Sequence, residues 1–286
     1  MTFWNNETEI QFFNEALKTF ASPEQLFYDL QGGLFAYVPR GSDAEGQTLQ
    51  SRNSLIGQFT EKWCKHLFAS IARQLGLFAV NGVVCEDLGL TRQSSADLAF
   101  CSSAQVEQRP ENIKLIFEIK MSIISNYRYT RNGIVECIGD YRQHKGNPSL
   151  LRSDSMLKAI GKAINIRVSG FVSSTIPIVV LGNSPISDAY LKKVDFLKSS
   201  GVIQGFWSLN PRPTDSEFNK SSPKLGFQTI FRDESLLALC TNLVKTNMNY
   251  FSSMISKGKL GEIIRTANKE ESDVAKAEKF LHLLRN

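Results

Sequence analysis

The chain has 286 residues, of which 42% are hydrophobic and 21% are charged, and its formal net charge is +5. These values are ordinary for a soluble globular protein, and no apolar run is long enough to span a membrane. The N-terminus is polar and acidic, which excludes a signal peptide, so we expect a cytoplasmic protein.

Cysteine and histidine usage argues against two common classes of site. The five cysteines and three histidines are scattered, and no cysteine pair has CxxC spacing. We expect reduced thiols in the core and neither a disulfide framework nor a zinc site. No GxxxxGK[ST] or GxSxG string occurs, so a phosphate-binding loop and a serine hydrolase are also unsupported.

The first half of the chain is predicted to contain helices followed by an antiparallel sheet. Helical spacing covers residues 7–20 and 54–76, and Ser22-Pro23 starts a short helix between them. Strands are predicted at residues 82–86, 95–101 and 114–122. The short polar connection after the second strand indicates that these strands pair in an antiparallel way. Residues 121–148 are polar and are predicted to be largely irregular, with part of 134–138 helical or extended.

The second half predicts a parallel crossover and then helices. A helix is expected over residues 154–168, and strands at 176–181 and 202–209 flank a helix at 187–200. A loop follows at 210–224, and helices are expected at 234–256, 260–266 and 271–284. The predicted fold is α/β, with a mixed five-stranded sheet flanked by helices in a single domain over residues 1–286. The core of this domain is about 54–209, extra helices are expected at both termini, and the C-terminal helical region is about 232–286.

Two charges stand inside the most apolar strand. Glu118 and Lys120 alternate with Phe117 and Ile119, so their side chains share one face of the strand. Core strands rarely hold charges without a purpose. We take this pair as the centre of a candidate active site, the alternative being a structural ion pair.

Two further acids can join that pair. Asp97 lies in the preceding predicted strand, and Glu61 lies on the helix over residues 54–76. Mg²⁺ prefers oxygen ligands and is often held by one or two carboxylates, which Asp97 and Glu118 can supply. A metal there can polarise a scissile phosphate and acidify an attacking water, while Lys120 can orient that water or stabilise the transition state. Glu61 can support a second metal or a water.

The order of these residues resembles the PD-(D/E)xK nuclease superfamily, and within it the type II restriction endonucleases. The resemblance is carried by Glu61 on a helix, by the Ser-Ala-Asp run ending at Asp97, and by the Glu-Ile-Lys run from Glu118 to Lys120. It implies a restriction-endonuclease-like fold, metal binding by Asp97, Glu118 and Glu61, and a catalytic lysine at Lys120. Ala96 stands where the family motif has proline.

The segment after the central strand is basic. Residues 120–167 contain nine basic and three acidic residues, a net charge of +6, so the rest of the chain carries −1. Such a surface suits a polyanion such as DNA. The candidate DNA-binding residues are Tyr127, Arg128, Arg131, Asn132, Arg142, Gln143, Lys145, Arg152, Lys158 and Lys162.

The sequence therefore predicts a Mg²⁺-dependent endonuclease that cleaves double-stranded DNA at a specific sequence. A symmetric DNA site would be matched by a homodimer, and the resemblance implies a partner DNA methyltransferase. Two alternatives stay open: a structure-specific repair or junction nuclease of the same fold, and a non-catalytic DNA-binding protein.

Overall fold

The structure is a computed structural model that describes residues 3–19, 21–44, 49–246 and 257–285. The helices are α1 (Asn6–Thr19), α2 (Pro23–Leu26), α3 (Gln50–Gln74), α4 (Ser153–Val168), α5 (Asp188–Ser199), α6 (Asp233–Lys245), α7 (Lys257–Ala267) and α8 (Asp273–Arg285). The strands are β1 (Tyr28–Leu30), β2 (Gly33–Phe35), β3 (Phe78–Val83), β4 (Ala96–Cys101), β5 (Ile113–Ile119), β6 (Asn126–Tyr129), β7 (Val135–Gly139), β8 (Ile178–Gly182), β9 (Gly205–Ser208) and β10 (Phe227–Thr229).

A mixed six-stranded sheet forms the centre of the protein, in the order β10-β9-β8-β5-β4-β3. Strands β3, β4 and β5 are antiparallel neighbours, whereas β5, β8, β9 and β10 run parallel. The parallel pairs need crossovers, and α4 and α5 lie in the connections to β8 and β9. The protein is therefore an α/β protein with β5 at the junction of the antiparallel and parallel halves.

Helices cover both faces of this sheet. On one face, buried side chains of α1, α3 and α6 pack against Phe100 and Phe117. On the other, α4 and α5 pack against Ile116 and Val180. Helix α4 is placed by Met156, Ala159, Ala163 and Ile166, whose spacing puts four small or apolar side chains on one helix face. No helix in the described ranges is both long and apolar enough to cross a membrane.

A second sheet of four antiparallel strands has the order β1-β2-β6-β7. Gly32 in the β1–β2 turn and Gly33 at the start of β2 both have positive φ, a conformation that glycine adopts without steric cost. Strands β6 and β7 form a hairpin within the segment expected to be irregular, so residues 135–138 are extended. That segment is thus more regular than predicted, because β6 pairs with the distant β2 and β7 pairs with β6.

Most predicted elements are confirmed with shifted ends. Helix α3 begins at Gln50 rather than Ser54, and β3 begins at Phe78, four residues before the predicted strand. The antiparallel arrangement of β3, β4 and β5 and the parallel β8–α5–β9 crossover are as predicted. The predicted helix over 234–256 is observed over Asp233–Lys245, and its residues 247–256 lie outside the described ranges.

The prediction of five strands was wrong, because Phe227–Thr229 adds β10 to the sheet and β1, β2, β6 and β7 form another. These strands have three to five residues each, too short for a clear alternation. All five cysteines are free thiols; four are buried in the core as expected, whereas Cys137 is exposed, contrary to that expectation.

Candidate active site

Two carboxylates meet where β4 and β5 separate. The antiparallel register pairs Leu98 with Phe117, so the next position brings Asp97 beside Glu118 on the same face. Asp97 Oδ2 accepts a hydrogen bond of 2.7 Å from the Ile119 backbone N–H. The Asp97 side chain thus adds a hydrogen bond between β4 and β5 where their backbone pairing ends.

Lys120 lies one residue beyond the end of β5. Its Nζ atom is 2.5 Å from Glu118 Oε1 and 3.9 Å from Asp97 Oδ2. Its backbone N–H donates to the Leu181 carbonyl on β8 at 2.7 Å. The structure therefore brings together the three residues that the sequence predicted as the centre of the site.

Lys162 is a fourth member of the site, which was not predicted from the sequence. It projects from α4, and its Nζ lies 2.6 Å from Glu118 Oε2 and 3.1 Å from Asp97 Oδ1. It was predicted as a DNA contact, yet its side chain is directed into the carboxylate pair. The sequence feature that could have indicated its position is its helical spacing: Lys162 lies three residues after Ala159 and one before Ala163, and both alanines are buried.

The four side chains form a closed ring of alternating charge. Lys120 contacts one oxygen of each carboxylate and Lys162 contacts the other, so two negative charges face two positive ones. Glu118 Oε2 is buried and, besides its ion pair with Lys162, accepts no hydrogen bond of normal geometry. Desolvated carboxylates are costly unless paired, and this ring supplies the pairing.

Electrostatics within the ring follow from burial and charge. Burial, with a contribution from Asp97, raises the pKa of Glu118 despite the two lysines. Burial opposes the charged form of Lys162, but Glu118 and Asp97 outweigh it and raise the pKa of that ammonium. Such perturbed groups in one cluster are typical of functional sites, although structural ion pairs share the property.

Glu61 lies close to the ring without entering it. It is on α3, which packs on the opposite face of the sheet from α4. Burial and then the Asp97 carboxylate raise the pKa of Glu61, which indicates electrostatic proximity. Among the described residues its carboxyl makes no ion pair, so its supporting role stays a prediction.

The backbone from Lys120 to Ser122 is held in place by hydrogen bonds from residues later in the chain. Ser149 Oγ donates to the Lys120 carbonyl at 2.6 Å, and Asn183 Nδ2 donates to the Ser122 carbonyl at 2.7 Å. Ser149 has φ 51°, an uncommon left-handed conformation for a residue other than glycine. Its surroundings must enforce that conformation, which fixes the hydroxyl against the Lys120 backbone.

A cavity of about 790 Å³ begins next to this segment. Its lining includes Tyr37, Arg52, Ser122, Lys145 and Arg152. Arg52 is buried and lies 4.9 Å over the Tyr37 ring. The lining thus carries three cations and one acid, Asp154, and Ser122 places the cavity two residues along the chain from Lys120.

Most of the other predicted DNA-binding residues lie on the surface, and some of them also form ion pairs within the chain. Arg128, Arg131, Asn132, Arg142, Gln143, Lys145, Arg152 and Lys158 are exposed. Some are engaged within the chain: Arg128 pairs with Glu136 at 2.8 Å and Arg152 with Asp154 at 2.9 Å. Their exposure is compatible with contacts to DNA, which stay predictions.

Tyr127 does not fit the prediction made for it. Its side chain is fully buried, and its hydroxyl donates to Glu9 Oε2 at 2.8 Å. The ring packs against Phe13 in the core between α1 and the second sheet. Tyr127 therefore has a structural position rather than a surface from which it could reach DNA.

The metal prediction can be compared with the donors present. Within the described ranges, no group of three or more His, Cys, Asp or Glu side chains is arranged to hold a metal ion. Asp97 and Glu118 nevertheless place two carboxylates side by side, and Oε2 of Glu118 is buried without a hydrogen bond. Mg²⁺ can bind through one or two carboxylates and several waters, so this donor pair fits it.

The chain was compared with protein-family models, with curated proteins and with solved structures, and none of the three comparisons found a match.

Proposed function

We propose that the protein is a Mg²⁺-dependent endonuclease for double-stranded DNA, with a restriction-endonuclease-like core. The observation that carries the proposal is the Asp97–Glu118–Lys120 arrangement on two neighbouring strands, with Lys120 Nζ 2.5 Å from Glu118 Oε1. Paired carboxylates next to a lysine suit phosphodiester hydrolysis, in which negative charge builds up on the phosphate. Its place at the ends of β4 and β5 also supports the resemblance to PD-(D/E)xK nucleases.

Each residue has a defined task in this proposal. Asp97 and Glu118 would hold the metal, which when bound supplies positive charge to the scissile phosphate. The Lys120 ammonium would donate hydrogen bonds to the attacking water or to the phosphate oxygens. Ser149 and Leu181 fix the Lys120 backbone, so the ammonium moves only by rotation of its own side chain. Glu61 would hold a water or a second metal at the rim.

The basic cavity would receive the DNA backbone. Lys145 and Arg152 line it, and Ser122 connects it to the catalytic strand. Cations at such a surface neutralise phosphates and position the duplex without reading its sequence. Sequence reading would fall to exposed polar side chains such as Arg131, Asn132 and Gln143.

The proposal also includes the assembly expected for a site-specific enzyme. A homodimer would match a symmetric DNA site, and a methyltransferase would protect the host sequence. The enzyme would act in the cytoplasm.

The test is cleavage of plasmid and phage DNA by the purified protein with Mg²⁺, with EDTA as control. Discrete fragments that disappear with EDTA are expected, and sequencing of their ends gives the site. A smear or cleavage confined to branched DNA would favour the structure-specific nuclease. DNA that stays intact but shifts on a native gel would support the non-catalytic binding protein and overturn the proposal.

A further inference from the structure

Lys162 occupies the side of the carboxylate pair that Lys120 leaves open. Its Nζ contacts Asp97 Oδ1 and Glu118 Oε2, whereas Lys120 is directed at the other oxygen of each carboxylate. Among the described residues, Lys162 has no further hydrogen-bond or ion-pair partner. Its ammonium is thus held by these two oxygens alone.

The two lysines differ in the partners that each has besides the carboxylates. Lys120 follows the strand directly, its backbone is bound to β8, and its Nζ also lies 3.3 Å from the Ile119 carbonyl. Lys162 reaches the carboxylates from a helix on a flexible four-carbon chain. Rotation of that chain can remove the Lys162 ammonium while the sheet stays unchanged.

Charge balance favours such a movement when a divalent cation binds. The ring of two carboxylates and two ammonium groups is neutral, so an added divalent cation would leave two excess positive charges in a half-buried site. Like charges at this separation repel strongly at low effective dielectric. Departure of one ammonium halves that excess, and Lys162 is the lysine that, among the described residues, has no partner besides the two carboxylates.

We infer that Lys162 is a built-in counter-ion that holds Asp97 and Glu118 together in the metal-free protein and is displaced when a divalent metal binds between them. The inference rests on the proposed function, because it assumes that this pair is the metal site. Lys162 then lowers the affinity of the site for metal and, before the metal arrives, balances the negative charge that Lys120 alone would leave on the two carboxylates.

The experiment is calorimetric titration of the protein with Mn²⁺ in the absence of DNA. It compares wild type with Lys162→Met, which removes the ammonium but keeps most of the chain's volume. Lys158→Met is the matched control, because Lys158 lies one turn earlier on α4 and pairs at 3.6 Å with Asp154 outside the ring. Lys162→Gln is a second variant, for use if the methionine variant folds poorly. It removes the charge but retains a hydrogen-bond donor.

Lys162→Met and Lys162→Gln are expected to bind Mn²⁺ about tenfold more tightly than wild type, because the metal no longer competes with an ion pair of moderate strength. Without metal they are expected to melt at a lower temperature, and Mn²⁺ should raise their melting temperature more than that of wild type. Lys158→Met should match wild type in both measurements.

Two results would overturn the inference in distinguishable ways. If wild type binds Mn²⁺ and loses binding in Asp97→Asn, while both Lys162 variants bind it with equal or weaker affinity, Lys162 is not a competitor and the proposed function stands. If no variant binds Mn²⁺, the metal site itself is absent, and the inference and the proposed nuclease mechanism fail together.

Discussion

Glu118 Oε2 and Lys162 Nζ lie 2.6 Å apart, although one residue belongs to a strand and the other to a helix 44 positions later. The contact closes a ring with Asp97 and Lys120 that neither element could form alone. Helix α4 thereby brings the second of the two cations that face the buried Glu118 and the partly buried Asp97, and this pairing offsets the cost of desolvating the carboxylates.

Replacement of Lys120 by alanine should abolish cleavage and leave DNA binding intact. The ammonium is directed at the carboxylate pair rather than at the exposed basic surface, so its loss removes transition-state stabilisation, about a 100- to 1000-fold effect or more. Plasmid cleavage and a native gel shift measure the two properties. Lys114→Ala is the control, because Lys114 lies on β5 six positions earlier and binds the Glu111 carbonyl. Full activity of Lys120→Ala would refute the catalytic assignment.

Glu9 should make the stability of the fold depend on pH. Its carboxyl is buried and receives hydrogen bonds from Trp4, Ile124, Ser125 and Tyr127. Burial raises its pKa from 4.5 to about 7 despite these donors. The protonated form therefore stabilises the fold, fully below the unfolded value of 4.5, and this contribution is lost as pH rises through about 7.

The expected loss is about 3 kcal/mol of unfolding free energy between these limits. Urea denaturation at a series of pH values measures it, and Glu9→Gln should remove this component of the slope. Glu7→Gln, on the exposed face of the same helix, should keep the wild-type slope. An unchanged slope in Glu9→Gln would mean that the buried carboxyl stays ionised throughout.

Lys145 and Arg152 should contribute to DNA affinity through phosphate contacts. Both line the basic cavity, and neither is part of the carboxylate ring. Double replacement by alanine should weaken binding to all DNA sequences alike and reduce the slope of log affinity against log salt by about 2. Fluorescence anisotropy with duplexes at several salt concentrations measures this. Lys18→Ala, on exposed α1 surface, is the control. An unchanged salt slope in the double variant would place the DNA elsewhere.

Gly182→Ala should disturb the hydrogen bond that holds the Lys120 backbone in place. A methyl group at this position would overlap the buried side chain of Leu150 and lie 3.0 Å from Ser149 Oγ, which holds the Lys120 carbonyl. We expect a loss of about 1–3 kcal/mol in unfolding free energy together with reduced cleavage. Thermal denaturation and plasmid cleavage measure the two effects.

Gly161→Ala provides the comparison for this prediction. A methyl group there meets no atom within 4 Å, and position 161 is an exposed helical site. Alanine should therefore stabilise α4 by up to about 1 kcal/mol. If Gly182→Ala and Gly161→Ala have the same unfolding free energy and the same cleavage activity, the close packing of Leu150 against Gly182 is not needed for the site.

The sequence by itself determined the centre of the candidate site. Asp97, Glu118 and Lys120 could be found because side chains alternate along a strand, a strictly local rule, and because charges within an apolar run are costly enough to stand out. The α/β character and the main helices followed from equally local periodicities.

Only the tertiary structure decided the rest. From the sequence, Lys162 cannot be distinguished from other helical lysines, and it enters the site only because α4 packs across the sheet. From the sequence, Tyr127 is predicted at the surface, and it is buried because α1 places Glu9 next to its hydroxyl. The hairpins β1–β2 and β6–β7 are joined into one sheet by the pairing of β2 with the distant β6, and β10 is held by β9, because an isolated short hairpin or strand is marginally stable in water. Contacts between residues far apart in the chain have no local signature, and they complete both the second sheet and the ring of charges.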